Sequence, residues 1–434
     1  MIKRLLRMSV LGMLTFALLL GGGSARAVVA HTDPSAYASA LPESCSIQDN
    51  GNFALCPAIA FTSTRDNPML TMNTGEIYLM LTKQDGTPDP TQTRRLTNND
   101  GAQTSGEGFA TLSPDGKKMV FDSNRDAVAH NESRFISDLY VMNLEDSDNL
   151  QHPVPDAKQV HLTRGSSATW SSPDGKKIAF HASRSGIYSA ATLAREDPGS
   201  PTLDSDIFVM NVDDCRKVKE QYGVDDCRQI PGEHVKNLTL ATSPTFIDED
   251  PDWSPDGQKI VFTSHDGEKP DHNNTHGEIY MMNADGTGRE QLTTTNTGEE
   301  RSPTWSPNGT RILFMCRRGG VIQMQLCVLN KVNGAWVETQ LTTSGQHLTP
   351  SWSPDGTQIV FHKPVAGQGQ QLALIKLNQD GTCGTCPEEQ LTSRPGVNVF
   401  ANRGVLRITG GAPTVTQPSV RAPAAPPVPQ PRGR

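Results

Sequence analysis

Five segments of the chain share one local sequence: Leu112-Ser113-Pro114-Asp115-Gly116, Ser171-Ser172-Pro173-Asp174-Gly175, Trp253-Ser254-Pro255-Asp256-Gly257, Trp305-Ser306-Pro307-Asn308-Gly309 and Trp352-Ser353-Pro354-Asp355-Gly356. Ser, Pro and Gly take the first, second and fourth positions of a type I turn, where Pro presets φ and Gly is favoured. Each turn leads into an apolar strand ending in Phe: Met119-Val120-Phe121, Ile178-Ala179-Phe180, Ile260-Val261-Phe262, Ile312-Leu313-Phe314 and Ile359-Val360-Phe361. A unit this short cannot bury its own apolar face. It must stack on neighbours, which points to a repeat architecture.

Two further markers run in phase. One is a strand such as Glu278-Ile279-Tyr280-Met281-Met282-Asn283, with equivalents near Ile77, Leu139, Ile207, Leu326 and Leu372. The other is Leu-Thr, at Leu96, Leu162, Leu238, Leu292, Leu341 and Leu391. Each unit therefore holds four strands: a before the Ser-Pro turn, b after it, c at the Ile-Tyr marker and d at Leu-Thr. Six such units predict an all-β, six-bladed propeller over 53–410. The first unit lacks its own strand a, and Gly396 to Phe400 is left over after the sixth Leu-Thr. That segment is expected to complete blade one and close the ring. Val405-Leu406-Arg407-Ile408 imitates a strand b, so seven blades is the alternative.

The ends read differently. Lys3, Arg4 and Arg7 precede an apolar run from Leu11 to Leu20, and Ala25-Arg26-Ala27 is a small-residue cleavage site, so residues 1–27 read as a signal peptide. The apolar run is short for a bilayer span. Export to a periplasmic or extracellular space is expected, with no stable membrane insertion after cleavage. Residues 28–52 are a flexible lead, and 411–434, with seven Pro, a disordered and partly polyproline II tail. The eight cysteines fall into near neighbours, Cys45/Cys56, Cys215/Cys227, Cys316/Cys327 and Cys383/Cys386. Export and cheap closure of short loops favour these four pairs as disulfides, although eight cysteines allow many connectivities. The formal net charge is −8, which argues against nucleic acid as a partner.

The constellation W-S-P-D-G-x-x-I-x-F, I-Y-x-M-N-x-D-G-T and x-L-T, best copied at 252–262, 277–287 and 291–293, closely resembles the repeat of the TolB-type β-propellers. The resemblance covers about residues 53–408 and implies the fold. The family's TolB carries an α/β domain before its propeller, and the short span between the expected cleavage site and the first strand leaves no room for one, so an exported propeller without that domain is expected. The same repeat occurs in propellers of prolyl-oligopeptidase-type peptidases and of oligogalacturonate lyase-like enzymes, so fold does not fix function.

In such a propeller the d–a and b–c loops share one face. Glu107, Asp248, Glu300 and His347 begin the innermost strands and should surround the opening on that face. Arg65, Arg125, Arg184, His265, Arg317 and Lys363 follow strand b and should lie farther out. One reading makes the two rings structural salt bridges between neighbouring blades. The other makes Glu107, Asp248, Glu300, His347, Arg125, Arg184, His265 and Arg317 a charged binding mouth for a cation or a basic loop of a partner. His272 and His276 have helical ligand spacing, but Pro270 and Gly277 place them on a loop. No G-x-S-x-G elbow is present in the mature span, and Cys383-Gly384-Thr385-Cys386 lies in a turn rather than at a helix start. No cofactor and no metal are expected. The favoured function is non-catalytic binding of a protein or envelope component. The alternative is a polysaccharide-acting enzyme of the oligogalacturonate lyase-like kind, using mouth His and Arg.

Overall fold

The computed structural model describes residues 45–48, 53–66, 75–83, 87–98, 106–125, 137–147, 152–183, 205–215, 234–239, 246–266, 277–294, 298–318, 320, 322–378 and 380–409. Residues 1–27, expected as a signal peptide, the His272/His276 segment, Arg184, Cys227 and the Pro-rich residues 411–434 lie outside them.

Six four-stranded antiparallel blades form a ring. After the short strand β1 (Ser46–Gln48), blade one holds β2 (Phe53–Ser63), β3 (Glu76–Thr82) and β4 (Pro88–Arg95). Blade two is β5 (Glu107–Leu112), β6 (Lys118–Ser123), β7 (Asp138–Asn143) and β8 (Val160–Arg164). Blade three is β9 (Ser166–Trp170), β10 (Lys177–Ser183), β11 (Ser205–Asn211) and β12 (Val235–Asn237). Blade four is β13 (Phe246–Trp253), β14 (Lys259–Asp266), β15 (Gly277–Asn283) and β16 (Glu290–Gln291). Blade five is β17 (Glu299–Trp305), β18 (Arg311–Arg317), β19 (Gln325–Val332) and β20 (Ala335–Gln340). Blade six is β21 (Leu348–Trp352), β22 (Gln358–Val365), β23 (Gly369–Lys376) and β24 (Glu388–Gln390).

The last strand, β25 (Gly396–Thr409), is the innermost strand of blade one and pairs antiparallel with β2 from Ser63↔Asn398 to Phe53↔Thr409. It also touches blade six through two parallel pairs, Gly369↔Gly396 and Gln370↔Val397. Val405–Ile408 is therefore the far half of the closing strand, not the start of a seventh blade. β1, inside the span expected as a flexible lead, pairs with β2 at Ser46↔Leu55.

The repeated residues have repeated tasks. In the turn after β5, the Ser113 hydroxyl accepts from Lys118 N–H at 2.9 Å and donates to Asp115 at 2.7 Å. The Gly116 N–H closes the turn on Ser113 C=O at 2.8 Å. Gly257 sits at φ +68° with the Ser172 carbonyl oxygen 2.2 Å from where a Cβ would stand, so only glycine lets consecutive turns nest. Leu-Thr acts by backbone and side chain together. Leu292 N–H bonds Ile279 C=O at 2.8 Å, and Thr293 Oγ1 accepts the Ile279 N–H at 2.9 Å. The same side-chain bond recurs at Thr97, Thr239, Thr342 and Thr392.

The core is six apolar clusters, each shared by two adjacent blades. The strand-b phenylalanines Phe61, Phe121, Phe180, Phe262, Phe314 and Phe361 are fully buried in them. The cluster of Ile59, Phe61, Met80, Val360 and Leu372 seals blade six to blade one. Disulfides join Cys45–Cys56, Cys316–Cys327 and Cys383–Cys386, as the spacing suggested. Cys215 is disulfide-bonded and buried. Among the described residues no helix is long and apolar enough to cross a membrane.

Candidate functional site

The innermost strands β25, β5, β9, β13, β17 and β21 surround a central cavity of about 420 Å³. Each of them carries one β-bulge against its neighbour. At each bulge a non-glycine residue takes a left-handed backbone: Phe109 (φ 46°), Ser167 (54°), Asp250 (52°), Ser302 (51°), Thr349 (42°) and Phe400 (54°). All six line the cavity. The residue after each is Ala110, Ala168, Pro251, Pro303, Pro350 or Ala401. A bulge leaves one residue out of the ladder, and proline, with no N–H to pair, fits there.

The left-handed turn aims the bulge N–H at the preceding blade. Ser167 donates to Asp122 at 3.2 Å, Asp250 to His181 Nδ1 at 3.2 Å and Ser302 to Thr263 at 3.1 Å. Thr349 donates to the Met315 sulfur at 3.2 Å. These four acceptors each directly follow a strand-b phenylalanine, a position where the sequence draws attention only to the histidines His181 and His362. The Phe marker locates it, but its chemistry changes from blade to blade, so no repeat draws attention to it.

Around the ring the side chains divide. Phe109 and Phe400 stack with centroids 4.0 Å apart. Opposite in character, Ser302 donates to Asp250 at 2.8 Å, and Thr349 Oγ1 lies 2.8 Å from His362 Nδ1. Toward the Ser-Pro turns the wall is Trp170, Trp253, Trp305 and Trp352 with Pro114, Pro255, Pro307 and Pro354. Asp250 and Asp252 are the charged residues among those lining the cavity. Burial pushes the Asp252 carboxyl up to about 6, against bonds from Trp305 N–H, Thr169 and Thr304 that hold it down. Behind the ring, burial raises Asp122 to about 8, opposed by the Ser166 hydroxyl and Ser167 N–H. His362 is lowered to about 3 by burial alone.

The sequence-predicted mouth residues sit elsewhere. Glu107, Asp248, Glu300 and His347 start their strands as expected, but their side chains are buried and contribute nothing to the cavity lining. Glu107 pairs with Arg125, and burial, partly offset by that guanidinium, raises its carboxyl to about 7. Asp248 takes a bidentate pair from Arg289 at 2.9 and 3.0 Å. Glu300 is held by Arg318 and by the Thr293 hydroxyl. His347 Nε2 lies 2.8 Å from Glu388, which also holds Lys363. Arg317 turns to Glu299 at 2.7 Å, and buried His265 lies 3.8 Å from Glu249. These ion pairs tie strands within one blade, not neighbouring blades. Arg289 and Arg318 were not singled out by the spacing. The two histidines that the repeat places at the mouth, His265 and His347, are both buried and stand in different blades.

Residues 229–385 match the family model PD40, the TolB beta propeller domain. Dipeptidyl-peptidase 5 of Porphyromonas gingivalis is 37% identical over 71 residues, 16% of this chain and 10% of its own length. The Tol-Pal system protein TolB of Acinetobacter baylyi is 35% identical over 65 residues, 15% of this chain and 13% of its own length. The chain thus spans about a tenth of the length of the curated relatives it matches. The crystal structure of TolB from Acinetobacter baumannii aligns with a TM-score of 0.52 at 17% identity, covering 80% of this chain and 66% of that one. At that identity the likeness is one of fold. The family match runs from the outer strand of blade three to the loop before the outer strand of blade six, and over that stretch the chain matches the TolB-type β-propeller.

Proposed function

We propose that this chain is an exported, non-catalytic scaffold whose channel takes up a segment of a protein or another cell-envelope component. The observation that carries the reading is the ring of six left-handed, non-glycine residues on the channel wall. Such conformations cost of order 1–3 kcal/mol each and gather at ligand clamps. The cavity wall joins aromatic and proline surface to two carboxylates, which suits an apolar segment bearing positive charge. The buried ion pairs of Glu107, Asp248, Glu300 and His347 with Arg125, Arg289, Arg318 and Glu388 act as the frame that fixes the strand starts. His265 and Arg317 stand beside that frame. The disulfides support an oxidising compartment, in keeping with a cleaved signal.

The test is capture of envelope proteins by the mature chain and by two variants. Asp250→Asn removes a channel charge and keeps a residue that tolerates the left-handed backbone. Pro307→Trp fills the turn-side opening. A channel partner is expected to bind more weakly to both, and Asp250→Asn should flatten its salt dependence. Equal affinity for all three, with unchanged melting temperatures, would sink the reading.

A further inference from the structure

The left-handed residues stand at equivalent positions of their strands, so they form one level of the channel wall. In order from blade one to blade six they are Phe400, Phe109, Ser167, Asp250, Ser302 and Thr349. In a ring of six, blade one faces blade four and blade two faces blade five. The stacked pair Phe400 and Phe109 therefore looks across the cavity at Asp250 and Ser302. Both phenyl rings are half-buried and line the cavity.

Asp250 stands there without a cation. Its Oδ2 accepts the Ser302 hydroxyl at 2.8 Å, and among the described residues its Oδ1 accepts no hydrogen bond. The imidazole beside it, His181, takes the Asp250 backbone N–H on Nδ1 at 3.2 Å, so that nitrogen presents a lone pair and not a proton. Among the described residues no lysine or arginine pairs with Asp250, and none lines the cavity. Asp252, the other acid of the wall, is satisfied by neutral donors of both flanking blades: Thr169 at 2.9 Å, Thr304 at 3.1 Å and Trp305 N–H at 2.8 Å. The acids behind the wall differ. Asp248 holds Arg289, whose guanidinium lies 5.0 Å and 4.6 Å from the ring centres of Phe262 and Tyr280. Glu107 holds Arg125, which lies 5.9 Å and 4.5 Å from those of Phe121 and Tyr140. Each of these sites is one carboxylate, two aromatic rings and one arginine. The channel level offers the carboxylate and the two rings alone.

We propose that this level of the channel is a guanidinium site, filled by an arginine side chain of the incoming segment, with its head on Asp250 and its flat face and methylene stem toward Phe109 and Phe400. The inference rests on the reading of the channel as a segment-binding cavity. A guanidinium suits the site better than an ammonium does. It is planar, it stacks on an aromatic face while it donates in its own plane, and it gives up less hydration on entering a half-closed space. The open Oδ1 of Asp250 is an acceptor for those in-plane donors. A cavity of about 420 Å³ has room for such a side chain.

The test titrates the mature chain with capped single amino acids by ligand-observed NMR. N-acetylargininamide is expected to bind at about millimolar affinity, and about tenfold more tightly than its uncharged isostere N-acetylcitrullinamide, with N-acetyllysinamide between the two. Asp250→Asn should erase the preference for arginine over citrulline at an unchanged melting temperature. Phe109→Leu should weaken the arginine probe and leave part of that preference. Equal affinity for the arginine and citrulline probes would overturn the site, and the comparison needs no variant to fold. A preference that survives Asp250→Asn, or a lysine probe that binds as well as arginine, would overturn it too. A short peptide with one central arginine should bind more tightly than the capped amino acid; no gain would overturn a segment as the source of the cation. The channel reading is checked separately. Capture of an envelope protein that Pro307→Trp abolishes and Asp250→Asn leaves intact would uphold the channel and overturn the guanidinium site.

Discussion

At the scale of single residues, buried carboxylates set the behaviour of this propeller. Asp122 is fully buried, and its carboxyl is raised from the ordinary 3.8 to about 8. Between those values the folded chain keeps a proton that the unfolded chain has released. The group's stabilising contribution is therefore complete below about pH 4 and is lost as pH rises through about 8. Asp122→Asn removes the titration and keeps an oxygen for the Ser166 and Ser167 donors. Urea midpoints of the variant should gain on wild type steadily from pH 4 to above 8. A difference independent of pH would contradict the assignment. The Asp248 pair calls for a second measurement. Asp248 is fully buried and Arg289 largely so, hence Asp248→Asn takes the bidentate carboxylate away from that guanidinium. The expected cost is about 3 kcal/mol, the lower end for breaking a buried pair, and a double-mutant cycle with Arg289→Ala should return a large coupling. A loss below about 1 kcal/mol, typical of exposed pairs, would show the pair to be solvated. These sites were half legible in the sequence. The acids recur at one strand position and stood out. Their cations arrive from different elements: Arg125 follows β6 and Arg318 follows β18, while Arg289 precedes β16. Spacing aligns only what the same element delivers.

At the scale of elements, the turns and the Leu-Thr signals were readable because each does its work within a few residues or across one strand pair. The channel bulges were not, because a left-handed Phe109 or Thr349 has no composition signature when glycine is not used. The closing strand was readable in its first half only. An alternating run such as Val405–Ile408 has the same period whether it is the inner strand of one blade or the second strand of the next. Pairing decides it: Val405 stands opposite Pro57 and Ile408 opposite Ala54. A chain ending at Pro395 therefore loses the inner edge of blade one, together with Val399 and Ala401, both buried. It should melt markedly lower and bind an exposed-apolar-surface dye such as ANS. A chain ending there that melts like the intact protein would mean that the ring is closed by other contacts.

At the scale of the whole molecule, stability is distributed around a circle. Each apolar cluster belongs to two blades, so no blade owns a complete core, and the cluster between blades six and one takes Ala401 from β25. Blade count was legible from the sequence because every unit repeats one Leu-Thr signal at its outer strand. That circular arrangement also imposes an order in time. The Ser63 hydroxyl bonds Asn398 across 335 residues of chain. At a synthesis rate of about 5–20 residues per second, β2 waits roughly 20–70 s for its partner to be made. Throughout that wait it presents an unpaired edge, the hazard that proteins elsewhere blunt or cover. A nascent chain of this protein thus keeps that edge exposed until β25 is made, and a ribosome stalled shortly before codon 396 would leave an open, edge-exposed arc in place of a ring.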